Sequence, residues 1–204
     1  MSKACIRRFH EKDLKEITEI VIEAFGSKYG KLPYRNPEKF YNMIKASVDQ
    51  GDHIGNIVAE LDGKVVGFLH LYSPVMPIKK SKIKWSKFTK EYGFKDTFRF
   101  LLTTLFLNFT WVKNDECYVA HIGVSPDVRG KGIGTQLLEY GENEALKYKG
   151  IKKYTLCVWK ENEGAYKLYT RVGFKNELEL KSALLKRLLG YYTAVFMTKK
   201  LRVN

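Results

Sequence analysis

Cysteine is scarce, with only Cys5, Cys117 and Cys157 in 204 residues. Odd in number, far apart and set among apolar neighbours, they exclude a disulfide framework and a CxxC metal knuckle. They are expected as buried thiols in a reducing, cytoplasmic setting. Histidine is scarce too, and the four present are scattered, so neither a metal site nor a thiol nucleophile with its local signature is expected. Acidic residues are in deficit: 22 Asp and Glu against 36 Lys and Arg give a net charge of +14. That surplus favours anionic ligands such as phosphorylated cofactors, acidic substrates or nucleic acid. Long apolar runs are missing as well. The greasiest stretch, Phe98 to Trp111, is interrupted by Arg99, Thr103, Thr104 and Asn108 and falls short of the roughly 20 apolar residues that cross a bilayer. Met1 to Arg8 has no apolar core before the charged stretch His10 to Glu16, so no secretory signal is expected.

What is present suits one α/β domain over residues 1–204, since 45% of the residues are hydrophobic and 28% charged. A short strand opens at Ile6. Leu14, Ile17, Ile20, Val21 and Ala24 then fall at helical spacing within Lys12 to Phe25, with Gly26 as a stop. A second amphipathic segment follows Pro37. Ile57 to Leu61 and Val65 to Tyr72 are apolar, β-branched runs joined by Asp62-Gly63, the signature of a tight hairpin. Residues 74–115 are too long for an ordinary connection. They read as an insertion, with a lysine run from Lys79 to Lys90 and a helix-like apolar face from Phe98 to Phe109 that offers a homodimer contact.

Beyond the insertion the pattern sharpens. Cys117 to Val124 reads as a buried central strand and Ile133 to Tyr148 as a helix. Tyr154 to Trp159 reads as another strand, Glu163 to Val172 as a helix capped by Asn162 and stopped at Gly173. A last helix over Leu180 to Leu189 and a strand over Tyr192 to Thr198 complete the reading.

The sharpest chemical signal is Arg129-Gly130-Lys131-Gly132-Ile133-Gly134-Thr135, lying between a strand and a helix. A helix start exposes backbone N–H groups without internal partners and carries partial positive charge, so it accepts a pyrophosphate. Glycines keep side chains out of its way, and Arg129 and Lys131 add charge. A Walker loop fails on spacing, because Gly130-Lys131 is followed by Gly132 and Pro126 takes the upstream glycine's place. A dinucleotide fingerprint requires G-x-G-x-x-G, not glycines at 130, 132 and 134.

Val124, Pro126, Arg129, Gly130, Gly132 and Gly134 spell V-x-P-x-x-R-G-x-G-x-G, which resembles the acetyl-coenzyme A signature of the GNAT superfamily of N-acetyltransferases. Asn162, Ala165, Leu168, Tyr169, Gly173 and Phe174 resemble the same family's N-x-x-A-x-x-L-Y-x-x-x-G-F helix. The resemblance is sharp over residues 116–174, loose before them, and absent from the insertion and the tail helix. It implies a central mixed, mostly antiparallel sheet flanked by helices, with acetyl-CoA as co-substrate. It further implies that Ile122, Gly123 and Val124 pair with the pantetheine arm through their backbone, and that Arg129 to Thr135 hold the pyrophosphate. Asn162 would reach the pantetheine region or cap its helix, and Tyr166 would line the pocket. Tyr169 would serve the departing sulfur as an acid. For the base, Glu116 leads, with His121, Tyr118 or an ordered water as rivals. The acceptor expected is a primary amine of a small molecule, peptide or protein. A CoA-binding regulatory module without chemistry, or a basic binder of nucleic acid or anionic surfaces, are the competing readings.

Overall fold

The computed structural model describes residues 4–29 (24–29 by their backbone), 55–77, 89–90, 93–95, 97–98, 112–181 and 193–202. Its strands are β1 (Cys5–Arg8), β2 (Asn56–Leu61), β3 (Lys64–Tyr72), β4 (Glu116–Val124), β5 (Lys153–Trp159), β6 (Lys175–Lys181) and β7 (Thr193–Lys200). Its helices are α1 (Leu14–Tyr29), α2 (Ile133–Leu146) and α3 (Glu163–Val172). The strands form one sheet in the order β1-β2-β3-β4-β5-β7-β6. Every neighbouring pair is antiparallel except β4 with β5, as the mixed, mostly antiparallel expectation requires.

Alternation along the strands sends side chains to two faces. On one face Ile57, Leu69, Leu71, Val119, Leu156 and Met197 pack with Leu137 and Leu138 of α2 and with Tyr169 of α3. On the other, Val58, Val65 and Phe68 receive Ile17, Ile20 and Val21 of α1. Burying Leu137 and Leu138 completely contributes about 1.5–3 kcal/mol each. The chain enters α1 through a short 3₁₀ turn, Glu11–Asp13, clamped by Arg7, which donates to Asp13 at 2.7 and 2.9 Å and to Glu60 at 2.8 Å. Burial pushes the Asp13 carboxyl up, but bonds from Arg7 and the His10 backbone outweigh it and hold the pKa below its usual value.

The hairpin forms as expected, with Asp62 and Gly63 both at positive φ, 52° and 77°. Helix α1 runs on past Gly26 to Tyr29, because one glycine costs a helix only about 1 kcal/mol against alanine. The last expected helix does not begin at Leu180: Leu180 and Lys181 end the edge strand β6, and the rest of that expected helix, residues 182–189, lies outside the described residues. The sequence of β6, KNELELK, is poor in β-branched residues, so propensity argues against a strand that pairing with β7 nonetheless imposes. The segment after Pro37 and most of the insertion also lie outside the described residues. Within the insertion, Phe94 and Phe98 stack at 6.2 Å and are exposed.

Gly141 of α2 marks where this helix lies closest to the sheet. A Cβ there would sit 2.5 Å from Leu69 Cδ2 and 2.6 Å from the Tyr154 hydroxyl. Gly141→Ala is therefore expected to lower unfolding stability in denaturant titration, by up to about 2 kcal/mol. Overpacking at about 1–3 kcal/mol exceeds the helix-propensity gain of about 1 kcal/mol.

Candidate active site

The parallel pair β4/β5 is short. Its ladder runs from Glu116↔Lys153 to Val119↔Leu156 and stops. β4 continues alongside β3 as far as Val124, and β5 continues alongside β7 as far as Trp159. The two central strands therefore part after Val119 and Leu156, leaving a wedge between residues 120–124 and 157–159. Gly123 keeps β4 close to its other neighbour here, since a Cβ would meet Phe68 Cε1 at 2.6 Å.

The glycine loop follows directly from the open end of β4. A 3₁₀ turn, Pro126–Val128, leads into it, and Arg129 Nε donates back to the Val124 carbonyl at 3.1 Å. Gly130 and Gly132 both stand at φ 79°, where a side chain is strained. Gly132 is the N-cap of α2, with no side-chain cap. The Gln136 N–H donates to the Gly132 carbonyl at 3.1 Å as the first helical bond, so the N–H groups of Ile133, Gly134 and Thr135 have no partner within the helix. No acidic residue occupies the first turn, so the positive end of the helix dipole is uncompensated, and Arg129 and Lys131 are exposed beside it. Gly134 has a different role. A Cβ there would come within 3.0 Å of Leu168 Cδ2, so this glycine seats α2 against α3.

Helix α3 brings the tyrosine. Asn162 caps it, Oδ1 accepting from the Ala165 N–H at 3.5 Å, which is the structural half of its expected role. Tyr169 is only 6% exposed and its ring meets Phe174 edge on, centroids 6.0 Å apart. Burial, with a smaller contribution from Cys157, raises its pKa above the ordinary phenol value, so the hydroxyl keeps its proton through neutral pH. Cys157 itself is the first residue of β5 beyond the ladder. Burial pushes its thiol, and that of Cys117, up to about 12, far from the thiolate a nucleophile needs.

Not all expected site residues meet. Glu116 lies at the closed end of the β4/β5 ladder, three residues and roughly 10 Å of strand before it ends, with Lys153 3.6 Å from its carboxylate. Tyr166 turns toward the far edge of the sheet, where Asn176 of β6 donates to its hydroxyl at 3.0 Å. Tyr118 is buried one residue before the ladder ends. His121 lies beside the open stretch, paired with His70 across β3. Burial lowers its pKa to about 4, although part of the residue still reaches the surface. It is a neutral imidazole at pH 7. The letters alone single out neither His70 and Asn56, which the strand registers set in one row with His121, nor the parting itself.

Strands that part beside a cationic, glycine-lined helix start leave an opening between β4 and β5 whose loop end suits an anion. The model of the acetyltransferase (GNAT) family matches residues 14–174, and the chain belongs to that family. An uncharacterized N-acetyltransferase of Methanocaldococcus jannaschii is 26% identical over 186 residues, covering 88% of this chain; the match spans 64% of that relative's length. Among solved structures, an N-acetyltransferase from Staphylococcus aureus Mu50 superposes with a TM-score of 0.67 at 20% identity, covering 96% of this chain and 100% of that one. Arabidopsis thaliana Naa50, in complex with the bisubstrate analogue CoA-Ac-MVNAL, gives a TM-score of 0.57 at 15% identity, covering 97% and 99%.

Proposed function

We propose that this chain transfers an acetyl group from acetyl-CoA to a primary amine of a small molecule, peptide or protein. The observation that carries this reading is the parting of β4 and β5 directly beside the uncapped start of α2. The residues fit the coenzyme. N–H groups of Ile133, Gly134 and Thr135, which have no partner within the helix, flanked by Arg129, Gly130, Lys131 and Gly132, would hold the pyrophosphate. The freed edge at Ile122, Gly123 and Val124 would pair with the pantetheine amides as a further strand does. Asn162, at the cap of α3, would offer its remaining amide donors to the same arm. When bound, acetyl-CoA supplies an acetyl group already activated as a thioester.

The protein's own work is then to manage charge and protons. Tyr169 stays a phenol and donates a hydrogen bond to negative charge gathering on the departing sulfur. With a pKa above that of an ordinary thiol, about 8.5, it stabilises the thiolate without handing its proton over outright. His121, neutral and beside the opening, takes the amine proton. A free alkylammonium near pKa 10 is a far weaker acid than an imidazole of pKa about 4 can deprotonate, so the amine must arrive neutral. Its proton becomes acidic enough for His121 only as the tetrahedral adduct expels the thiolate and the nitrogen turns into that of an amide, so the proton passes to His121 as the carbon–sulfur bond breaks. Glu116, ion-paired at the closed end of the ladder, is less well placed for that step.

The test is release of free CoA from acetyl-CoA in the presence of a panel of peptide α-amines, lysine side chains, polyamines and amino sugars. At least one class should raise release well above hydrolysis. Tight CoA binding with no amine-dependent release across the panel would instead support a binding module. Affinity for nucleic acid that collapses with salt and survives changes in the glycine loop would support a basic binder.

A further inference from the structure

Three polar residues stand in one row across three neighbouring strands. Asn56 of β2 is paired with His70 of β3, and His70 with His121 of β4. Directly paired residues on adjacent strands project to the same face, so the row runs along the α1 side of the sheet toward the place where β4 leaves β5. The neighbouring row on that face, Val58, Phe68 and Gly123, is apolar or small. On the other side stand Tyr72 and Tyr118, also paired.

The row is physically tied together. Oδ1 of Asn56 lies 2.5 Å from Nδ1 of His70. An amide oxygen only accepts, so Nδ1 of His70 carries the hydrogen, and in the neutral ring Nε2 keeps its lone pair. His70 in turn meets His121 nearly at right angles, ring centroids 6.1 Å apart and planes at 84°. Asn56 is buried at 9% exposure. Burying an amide is costly unless it is bonded, and an apolar residue would serve packing under α1 at least as well.

We propose that His70, anchored by Asn56, is a positioning residue for the acyl transfer. It fixes the ring of His121 beside the wedge, so that one neutral nitrogen faces the acceptor side of the opening. This inference rests on the reading of His121 as the group that takes the amine proton. The residue acts through His121 and touches neither coenzyme nor amine. Fixing a proton acceptor's orientation matters because proton transfer needs the two heavy atoms within hydrogen-bond reach and aligned. A ring that rotates freely spends most of its time misdirected.

The kinetic test compares wild type, His70→Leu, Asn56→Leu, His121→Gln and the double variant His70→Leu/His121→Gln. The acceptor is the amine of the panel with the fastest turnover. His121→Gln is expected to lower kcat by about 100-fold. His70→Leu and Asn56→Leu are expected to lower it by roughly 10-fold with KM for acetyl-CoA unchanged, since the glycine loop lies apart from the row. In the His121→Gln background the His70 change should cost no more than about twofold, because its effect passes through the missing imidazole. A full 10-fold loss retained in that background, or wild-type kcat in His70→Leu, overturns the positioning role. Wild-type kcat in His121→Gln overturns the base reading instead, and the two failures are thus told apart.

Imidazole nitrogen NMR on the CoA-bound protein reads the same contact without turnover. The His121 ring signals should move in His70→Leu and Asn56→Leu while backbone amides away from the row keep their positions. Unmoved His121 signals in both variants contradict the proposal, even if no amine in the panel is acetylated.

Discussion

Gly132→Glu is expected to abolish coenzyme A binding, with the dissociation constant by isothermal titration rising at least about 100-fold, or about 2.7 kcal/mol. Two effects combine. Gly132 stands at φ 79° and ψ 3°, the left-handed region that costs other residues roughly 1–2 kcal/mol. Relaxing that strain would turn the very N–H groups that face the ligand. The new carboxylate would also sit at the start of α2, where it satisfies the positive helix end by itself and repels a diphosphate. Among the described residues the nearest atom to a new Cβ is the Gln136 side-chain nitrogen at 4.0 Å, so the Cβ itself has room. A protein that still melts within a few degrees of wild type but no longer binds CoA is the expected result. Unchanged affinity would mean that the loop does not hold the pyrophosphate.

Tyr169→Phe separates binding from turnover. The ring's contact with Phe174 survives the change, so stability and CoA affinity should stay within about twofold of wild type. The lost hydroxyl removes a donor aimed at developing negative charge, for which roughly 100- to 1,000-fold in kcat is the usual loss. Steady-state kinetics with the best amine of the panel should show kcat falling by that factor and KM for acetyl-CoA holding. A kcat unchanged in Tyr169→Phe would assign the sulfur's stabilisation to another group.

The glycine loop and α3 are legible in the sequence because their physics is local. Gly130 and Gly132 announce left-handed backbone, Gly173 closes α3 at φ 104°, and Asn162 caps the helix that carries Tyr169. The hairpin is local as well. Its consequences are not: a plain two-residue turn pairing Leu61 with Lys64 would set Asn56 opposite Leu69. A register shift between Ala59 and Glu60 moves Asn56 opposite His70 instead, and a second shift between His70 and Leu71 sets His121 opposite His70. Gly67 beside the first shift hints at a bulge, but a bulge's place in the register is set by pairing between strands, so the polar row could not be read from the letters. Glu116 looked suitable by its place at the start of β4. Where β4 and β5 part, however, is decided by how many residues each strand gives to its outer neighbour, and that puts Glu116 at the closed end. Strand β6 hid behind its charged residues for a similar reason, because an edge strand is held by pairing rather than by burial.

A crystal structure of the protein with coenzyme A bound would decide whether the glycine loop and the wedge hold it. The expected arrangement has pyrophosphate oxygens at about 3 Å from the N–H groups between Lys131 and Thr135, pantetheine amides bonded to β4 between Ile122 and Val124, and the sulfur beside the Tyr169 hydroxyl. A coenzyme bound elsewhere, or one whose sulfur points away from Tyr169 with the wedge between β4 and β5 left unfilled, would contradict it.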